Sequence, residues 1–219
     1  MLRPLLALVV TALDALLLAL ALGGWRALAG HPRALSLLGG WALSGVVLAA
    51  LRPTRSRAAV AERPEGRLLL VALGLIPVLI PPFAAWTERL GWGALPGGDV
   101  LRWTGVALAV LGLAIRVLAM HQLGARFSPL LTVQPDHVLE TRGLYARIRH
   151  PGYLGALLAA LGAALAFGSA PALGPVALFA ALMGARARRE EALLEAHFGE
   201  AWRQHRSRTG AFLPGSGRR

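Results

Sequence analysis

Residues 152–185 read GYLGALLAALGAALAFGSAPALGPVALFAALMGA, and this stretch decides the fold class. It contains 34 residues without a charge, and a single helix of that length would be about 51 Å long. A bilayer core of roughly 30 Å needs only about 20 helical residues. The turn-forming sequence Gly168-Ser169-Ala170-Pro171 lies in its middle. The stretch therefore predicts a membrane hairpin with legs of about 16 and 14 residues, whose two ends return to the same side.

Four further apolar blocks precede this hairpin, and each is close to the length that crosses a membrane. They are Leu5–Leu22, Ala34–Leu51, Leu68–Trp86 and Val100–Ile115. The third block contains Pro77, Pro81 and Pro82, which predict a kink or a frayed far end. Overall 56% of the residues are hydrophobic and 16% are charged, whereas soluble domains carry roughly 25% charged residues.

The distribution of arginine predicts the orientation of the chain. All 23 basic residues are Arg, and the formal net charge is +12. An N-terminus inside the cell puts 19 of these 23 residues on the cytoplasmic side, as the positive-inside rule requires. We therefore expect an N-in, C-in protein of a bacterial inner (plasma) membrane that contacts lipid and binds no nucleic acid. The absence of cysteine excludes disulfides, thiolate metal sites and cysteine nucleophiles, and we expect no metal.

The predicted fold class is all-α: a polytopic membrane bundle of four helices, a C-terminal helical hairpin and a cytosolic C-terminal helix, with five or six spans in total. We divide the chain into residues 1–115, which contain four spans, and residues 116–219, which contain the hairpin 152–185 and the predicted site.

Polar residues concentrate around the hairpin. Arg149 and His150 precede Pro151, which is well suited to the first turn of a helix. The free N–H groups of such a helix start suit a carboxylate, but the two residues could equally anchor the helix at the membrane interface.

Three other ionisable positions also have two interpretations. Arg116 lies inside the end of the fourth block and either faces a cavity or snorkels to the interface. Arg186 and Glu190 are four residues apart and form either a pair at the floor of a pocket or a solvated ion pair. For Asp14 we expect a role in packing within the bundle.

Two linked motifs carry a family resemblance over about Arg116 to Pro214. The motif residues are Gly143, Tyr145, Arg149, His150, Pro151, Tyr153 and Gly155, followed after the hairpin by Glu190, Glu191, Leu194, Phe198 and Gly199. In this order and spacing the chain resembles the isoprenylcysteine carboxyl methyltransferase and phospholipid methyltransferase group of integral membrane enzymes. It departs from that pattern after Gly199, where Trp202 and His205 stand in place of the usual tyrosines.

The resemblance implies S-adenosylmethionine as cofactor, bound without a Rossmann domain. It assigns to cofactor binding the residues His137, Leu139, Tyr145, Arg149, His150, Pro151, Tyr153, Gly155, Glu190 and Glu191. It implies that Arg116 and Arg186 orient the methyl acceptor and that Glu190 lies near the cationic end of the cofactor.

The predicted function is methylation of a lipophilic or small acceptor at the cytosolic membrane face. The acceptor group is left open among a carboxylate, a thiol and an amine. An amine would need a general base, for which Glu190 or Glu191 is the candidate. Two other classes stay open: a nicotinamide-dependent membrane reductase of related architecture, and a non-catalytic membrane protein.

Overall fold

The computed structural model describes residues 2–51, 61–62, 66–124, 132–133 and 138–215, and these residues are mostly helical. The helices are α1 (Leu2–Leu22), α2 (Trp25–Ala29), α3 (Pro32–Leu51), α4 (Arg67–Leu90), α5 (Gly98–Leu123), α6 (Pro151–Ala166), α7 (Leu173–Phe198) and α8 (Glu200–Arg208). A 3-10 turn covers Gly143–Ala146, and the two-residue strands β1 (Ala61–Glu62) and β2 (Thr132–Val133) pair antiparallel. Apart from this short pair the prediction of an all-helical fold is confirmed.

Among the described residues, three helices are long and apolar enough to cross a bilayer: α3 over Pro32–Ala50, α4 and α5. The apolar part of α1, Val9–Leu22, and helix α6 are shorter. The polytopic membrane bundle is therefore confirmed, while the number of complete crossings stays a prediction. Asp14 of α1 is buried in the bundle, with 8% of its surface exposed. The division of the chain at residues 115 and 116 also stays a prediction, and α5 continues through it.

Helix α4 differs from the expectation drawn from its prolines. All three prolines lie inside the helix, which continues to Leu90 and ends at Gly91 in the left-handed conformation. The far end is therefore not frayed. The physical reason is tertiary packing, since Ile80, Pro81 and Ala84 are buried, and their packing against neighbouring helices outweighs the cost of the prolines.

The predicted hairpin is present as α6 and α7, joined by residues 167–172. Gly168 has a φ of 59°, which allows the sharp turn, and Ser169 is fully buried there. The first part of the charged segment after Ala185 is not a separate helix, because α7 continues without a break to Phe198, and only α8 after it is separate. Residues on the charged part of α7 are thereby held rigidly by the membrane-embedded part of the same helix.

Helices α5 and α6 meet along a line of small residues. A Cβ on Gly112 would lie 2.5 Å from the carbonyl oxygen of Gly155, and a Cβ on Gly105 would lie 2.7 Å from that of Gly162. These glycines therefore let the two backbones touch, as small residues do at helix contacts in membranes. The contact fixes Arg116 of α5 beside the first turns of α6, since a Cβ on Gly155 would lie 2.7 Å from the Arg116 backbone nitrogen.

A cluster of charged residues lies at the end of the bundle where α6 and α7 are joined. We call it the Glu88 cluster; it consists of His31, Arg33, Glu88 and Arg102. The Glu88 carboxylate lies 3.1 Å from Arg33, and both Arg102 and His31 are 3.3 Å away. This cluster connects the start of α3, the end of α4 and the start of α5.

Candidate active site

The start of α6 organises the predicted site. Pro151 occupies the first turn of the helix and His150 is the residue before it, as the sequence predicts. The helix start is buried, and the His150 side chain is only 3% exposed. The backbone N–H of His150 donates to the carbonyl of Ala211, 3.0 Å away, so that the chain's C-terminal segment lies directly against this turn.

Two adjacent carboxylates of α7 face this helix start. The distance between His150 Nε2 and Glu191 Oε1 is 3.1 Å, and His150 Nδ1 lies 3.8 Å from Glu190 Oε2. An ionised carboxylate only accepts hydrogen bonds, so His150 Nε2 carries a proton in this arrangement. His150 is therefore placed to orient both carboxylates.

Arg149 is a connecting residue. Its Nε donates to Glu191 Oε1 over 2.8 Å, and its Nη1 donates to the backbone carbonyls of Arg206 and Thr209. The guanidinium thus joins the start of α6 to α7 and to the end of α8. Its contacts favour a structural role in holding Glu191, and direct contact with a cofactor stays a prediction.

Tyr153, one turn into α6, joins Arg186 to Glu190. Its hydroxyl donates to Glu190 Oε2 over 2.6 Å and accepts a hydrogen bond of 2.9 Å from Arg186 Nε. Arg186 is buried, with 8% exposure, and its guanidinium carbon lies 6.0 Å from the centre of the Tyr153 ring. The predicted pair Arg186 and Glu190 is therefore connected through a hydroxyl and is not a simple solvated ion pair.

The electrostatics of the two carboxylates differ. Burial by itself raises the pKa of Glu191, but hydrogen bonds from His150 and Arg149 outweigh it and hold that pKa at about 2. Glu191 is thus an ionised anchor whose charge is already neutralised. The Glu190 side chain is 33% exposed, compared with 15% for Glu191, so Glu190 is the carboxylate that a ligand can reach.

Arg116 lies at the edge of this group. Its Nη1 donates to the carbonyl of Gly152 over 3.1 Å, which brings its guanidinium to the first turn of α6. Tyr145 reaches the same helix α5 from the 3-10 turn, with its hydroxyl 3.4 Å from the Ala119 carbonyl. Both predicted residues are therefore near the cluster formed by Arg149, His150, Tyr153, Arg186, Glu190 and Glu191.

Three other predicted residues are placed differently. Leu139 is half-buried in the segment before the 3-10 turn, and Gly155 lies in the contact between α5 and α6, where it accounts for the close approach of the helices. His137 lies outside the described residues. The assignment of all three to cofactor binding stays a prediction.

Sequence reasoning missed two parts of the site. Gln122 accepts a hydrogen bond of 3.2 Å from the Leu144 backbone N–H and packs closely on Gly143, whose φ is 56°. Residues 209–212 cover the Arg149-His150 turn. Gly143 itself was the available signal for the first, since glycine readily adopts a positive φ; nothing in the local sequence indicates the second. Within the described ranges no group of three or more His, Cys, Asp or Glu side chains could hold a metal ion.

Comparison with known proteins supports the resemblance. Residues 105–196 match the Isoprenylcysteine carboxyl methyltransferase (ICMT) family. The chain is similar to the protein-S-isoprenylcysteine O-methyltransferase of Schizosaccharomyces pombe, with 31% identity over 53% of this chain and 50% of that protein. The enzyme of the same name from Saccharomyces cerevisiae is 31% identical over 50% of this chain and 47% of its own length. The chain thus spans about half the length of these relatives.

The fold has a solved counterpart. The eukaryotic intramembrane Ras methyltransferase ICMT superposes with a TM-score of 0.59, covering 93% of this chain and 74% of that one at 19% identity. At this identity the likeness concerns the fold. All the predicted site residues that the structure describes, from Arg116 to Glu191, lie within the matched residues 105–196. The chain therefore resembles the isoprenylcysteine carboxyl methyltransferase family in the part that carries the candidate site, and it has a membrane-helical fold like that of a solved member of the family.

Proposed function

We propose that this protein is a membrane-embedded methyltransferase that uses S-adenosylmethionine, with its site at the Arg-rich, cytoplasmic end of the bundle. The observation that carries the proposal is the joining of Arg149, His150, Tyr153, Arg186, Glu190 and Glu191 into one hydrogen-bonded group within the family-matched residues. The names of the similar proteins describe an enzyme of this class.

The residues present fit such a cofactor. S-adenosylmethionine supplies an electrophilic methyl group on a sulfonium and carries an ammonium and a carboxylate. Glu190 is a partly exposed carboxylate that can face a cationic centre, while Glu191 is already paired with Arg149 and hydrogen-bonded to His150. Glu190 is therefore the residue that we expect to hold the cationic end, and Tyr153 and His150 fix its position.

Arg116 and Arg186 are the residues that we expect to orient the acceptor. They extend from α5 and α7 toward the first two turns of α6, one through the Gly152 carbonyl and the other through the Tyr153 hydroxyl. Two guanidinium groups suit an anionic acceptor, which needs no general base because it is already deprotonated. Of the three acceptor groups left open, a carboxylate on a lipophilic molecule is therefore the first to test.

The protein's contribution to the reaction is mainly alignment and exclusion of water. In the transfer a bond forms between the acceptor atom and the methyl carbon while the bond from that carbon to sulfur breaks. Holding the two partners in line supplies much of the acceleration available to such a reaction. The buried positions of His150 and Arg186 provide the rigid, poorly hydrated setting that this requires.

Ligand-dependent thermal stability distinguishes the candidate functions. Protein purified in detergent is expected to unfold several degrees higher with saturating S-adenosylhomocysteine and to show no change with NADP, because a ligand that binds only the folded state stabilises it. A shift with NADP alone would support a reductase, and no shift with either compound would support a non-catalytic protein. A screen with labelled S-adenosylmethionine against prenylcysteines, fatty acids, thiols and amino-lipids then identifies the acceptor.

A further inference from the structure

The chain returns to the candidate site after its last helix. We call residues Thr209–Phe212 the C-terminal strap. The N–H of Arg149 donates to the Gly210 carbonyl over 2.8 Å, the N–H of His150 donates to Ala211 over 3.0 Å, and the Gly210 N–H donates to Arg147 over 3.3 Å. The strap therefore pairs with the residues just before α6. It lies beyond residue 196, where the family match ends.

A side chain attaches the strap a second time. The Arg149 guanidinium donates to the carbonyls of Arg206 and Thr209 and also binds Glu191. Carbonyls at the end of a helix lack partners within that helix, and a cation there is favourable. Thr209 is buried and its hydroxyl donates to the His205 carbonyl over 2.7 Å, which ends α8 and directs the chain into the strap.

The strap ends on a ring that packs on His150. The ring centres of Phe212 and His150 are 5.9 Å apart at an interplanar angle of 36°. His150 in turn stacks on Tyr153, with ring centres 5.3 Å apart and an angle of 7°. A continuous series of contacts therefore runs from Phe212 through His150 and Tyr153 to Glu190 and Arg186.

We propose that Phe212 is a positioning residue for the candidate site: by fixing the His150 ring, it sets where the Glu190 and Glu191 carboxylates lie. This inference rests on the proposed function, since it assigns Glu190 to cofactor binding and Glu191 to anchoring the site. Phe212 acts through His150 and touches no reacting atom. A change at Phe212 should therefore weaken cofactor binding although the residue lies outside the matched residues.

The path of the strap is fixed by its own backbone. Gly210 is so close to Leu213 and Gly215 that a Cβ at this position would overlap the Leu213 carbonyl and lie 2.7 Å from the Gly215 nitrogen. The next side chain, Leu213, is 70% exposed, whereas Phe212 is half-buried. Leu213 thus offers a matched control, an apolar residue one position further on that does not cover the site.

The test compares Phe212→Ala with Leu213→Ala in the full-length protein in detergent. We expect the dissociation constant for S-adenosylhomocysteine to rise about tenfold in Phe212→Ala, to stay within about twofold in Leu213→Ala, and to be restored by Phe212→Tyr, which keeps the ring. With S-adenosylmethionine the change should be in KM more than in kcat. Binding within about twofold of wild type in Phe212→Ala would overturn the inference.

Two further measurements keep the result clear. If Phe212→Ala does not fold, Phe212→Leu takes its place, because leucine keeps the apolar volume but not the ring. We expect the same loss of S-adenosylhomocysteine binding in this variant, and binding within about twofold of wild type would overturn the inference. Hydrogen exchange of peptides covering residues 145–153 should rise in the Phe212 variant without any cofactor; unchanged exchange there would also overturn the inference. If the wild-type protein fails to bind S-adenosylhomocysteine, the proposed function fails, and the exchange result still decides whether Phe212 holds the His150 turn.

Discussion

The two ends of the bundle carry polar clusters of the same residue types with different arrangements. In the Glu88 cluster one carboxylate is shared by two arginines and a histidine that come from the ends of separate helices. At the candidate site two neighbouring carboxylates of one helix face a histidine, a tyrosine and two arginines. Both groups are largely shielded, so residue type and burial alone do not mark a functional site.

The two clusters differ in the partners of their carboxylates and in how far these carboxylates are exposed. Glu88 is paired with two arginines and lies 3.3 Å from His31, and the cluster joins helix ends beside the hairpin turn, which indicates a role in holding that end together. At the candidate site Glu191 is paired with Arg149, while Glu190 accepts a hydrogen bond from the Tyr153 hydroxyl and lies 3.8 Å from His150 Nδ1. The Glu190 side chain is 33% exposed, compared with 18% for Glu88 and 15% for Glu191, so among these three carboxylates Glu190 is the one that a ligand reaches most easily.

The largest effect that we expect is on the rate of methyl transfer, and it distinguishes the two clusters. Glu190→Gln should lower methyl transfer by more than about 1,000-fold, equivalent to about 4 kcal/mol, because it removes the charge that faces the cofactor. Arg186→Ala should cause a loss of similar size. Initial rates with labelled S-adenosylmethionine and the acceptor found in the screen measure both.

The matched control for these variants is Glu88→Gln, which removes a carboxylate of the other cluster. It should lower the melting temperature and leave the rate within about threefold of wild type. Equal rate losses in Glu88→Gln and Glu190→Gln would contradict the distinction between the clusters, and wild-type turnover in Glu190→Gln would remove that residue from the site.

A second pair of variants uses the glycine contact between α5 and α6, which runs from one cluster to the other. Gly112→Ala and Gly105→Ala both force a Cβ against the backbone of α6, and each should destabilise the protein by up to about 3 kcal/mol. Only Gly112→Ala, which lies one turn from Arg116, should also weaken S-adenosylhomocysteine binding strongly. Thermal unfolding and ligand titration of both variants provide the comparison.

Gly39→Ala is the control for the glycine variants, because a Cβ at Gly39 has no atom within 4 Å. It should leave both stability and binding near wild type, since alanine favours the helix. If Gly105→Ala and Gly112→Ala weakened S-adenosylhomocysteine binding equally, binding would depend on the whole contact between α5 and α6 and not only on the part beside the candidate site.

The smallest expected effect concerns acid. The folded-state pKa of Glu191 is about 2 compared with an ordinary value of 4.5, so the ionised carboxylate stabilises the fold. This contribution is complete above about pH 4.5 and is lost as the pH falls toward 2. Glu191→Gln should therefore cost about 1–2 kcal/mol near neutral pH, and the difference from wild type should shrink on acidification.

Melting temperatures between pH 7 and pH 3 measure this effect. Glu200→Gln serves as control, because Glu200 pairs with Arg203 on the exposed surface and such pairs contribute little at any pH. A wild-type advantage over Glu191→Gln that grows on acidification would contradict the assignment of Glu191 as an ionised anchor.

Most of the helical architecture could be predicted because apolar runs and helix-breaking turns are local properties of a chain. The hairpin turn at Gly168 lies where the sequence indicates it, and Pro151 starts α6 as expected. The prolines of α4 predicted a kink or a frayed far end, and the far end is not frayed, because the packing of buried residues around Pro81 outweighs the cost of the prolines. That packing is made with other helices, about which local sequence gives no information.

The motif residues were identified from their spacing in the sequence, but the residues that they contact in the structure were not. Arg149 was assigned to the cofactor, and the structure places its guanidinium against Glu191 and against carbonyls 57 and 60 residues further along the chain. Gly155 was assigned to the same role, and the structure places it against the backbone of α5. Interactions across such separations depend on how the helices pack, which one sequence does not specify.

Composition, charge and turn residues act locally along the chain, so the amino-acid sequence was enough to predict a helical membrane protein with Arg-rich segments and a hairpin followed by a charged segment. The packing of the helices was needed to show that Glu191 is paired with Arg149 while Glu190 stays partly exposed, and that the strap with Phe212 lies on His150. The reason is that these properties depend on distances between α6, α7 and the C-terminal segment, which are fixed by close packing of the helices and not by any one of them.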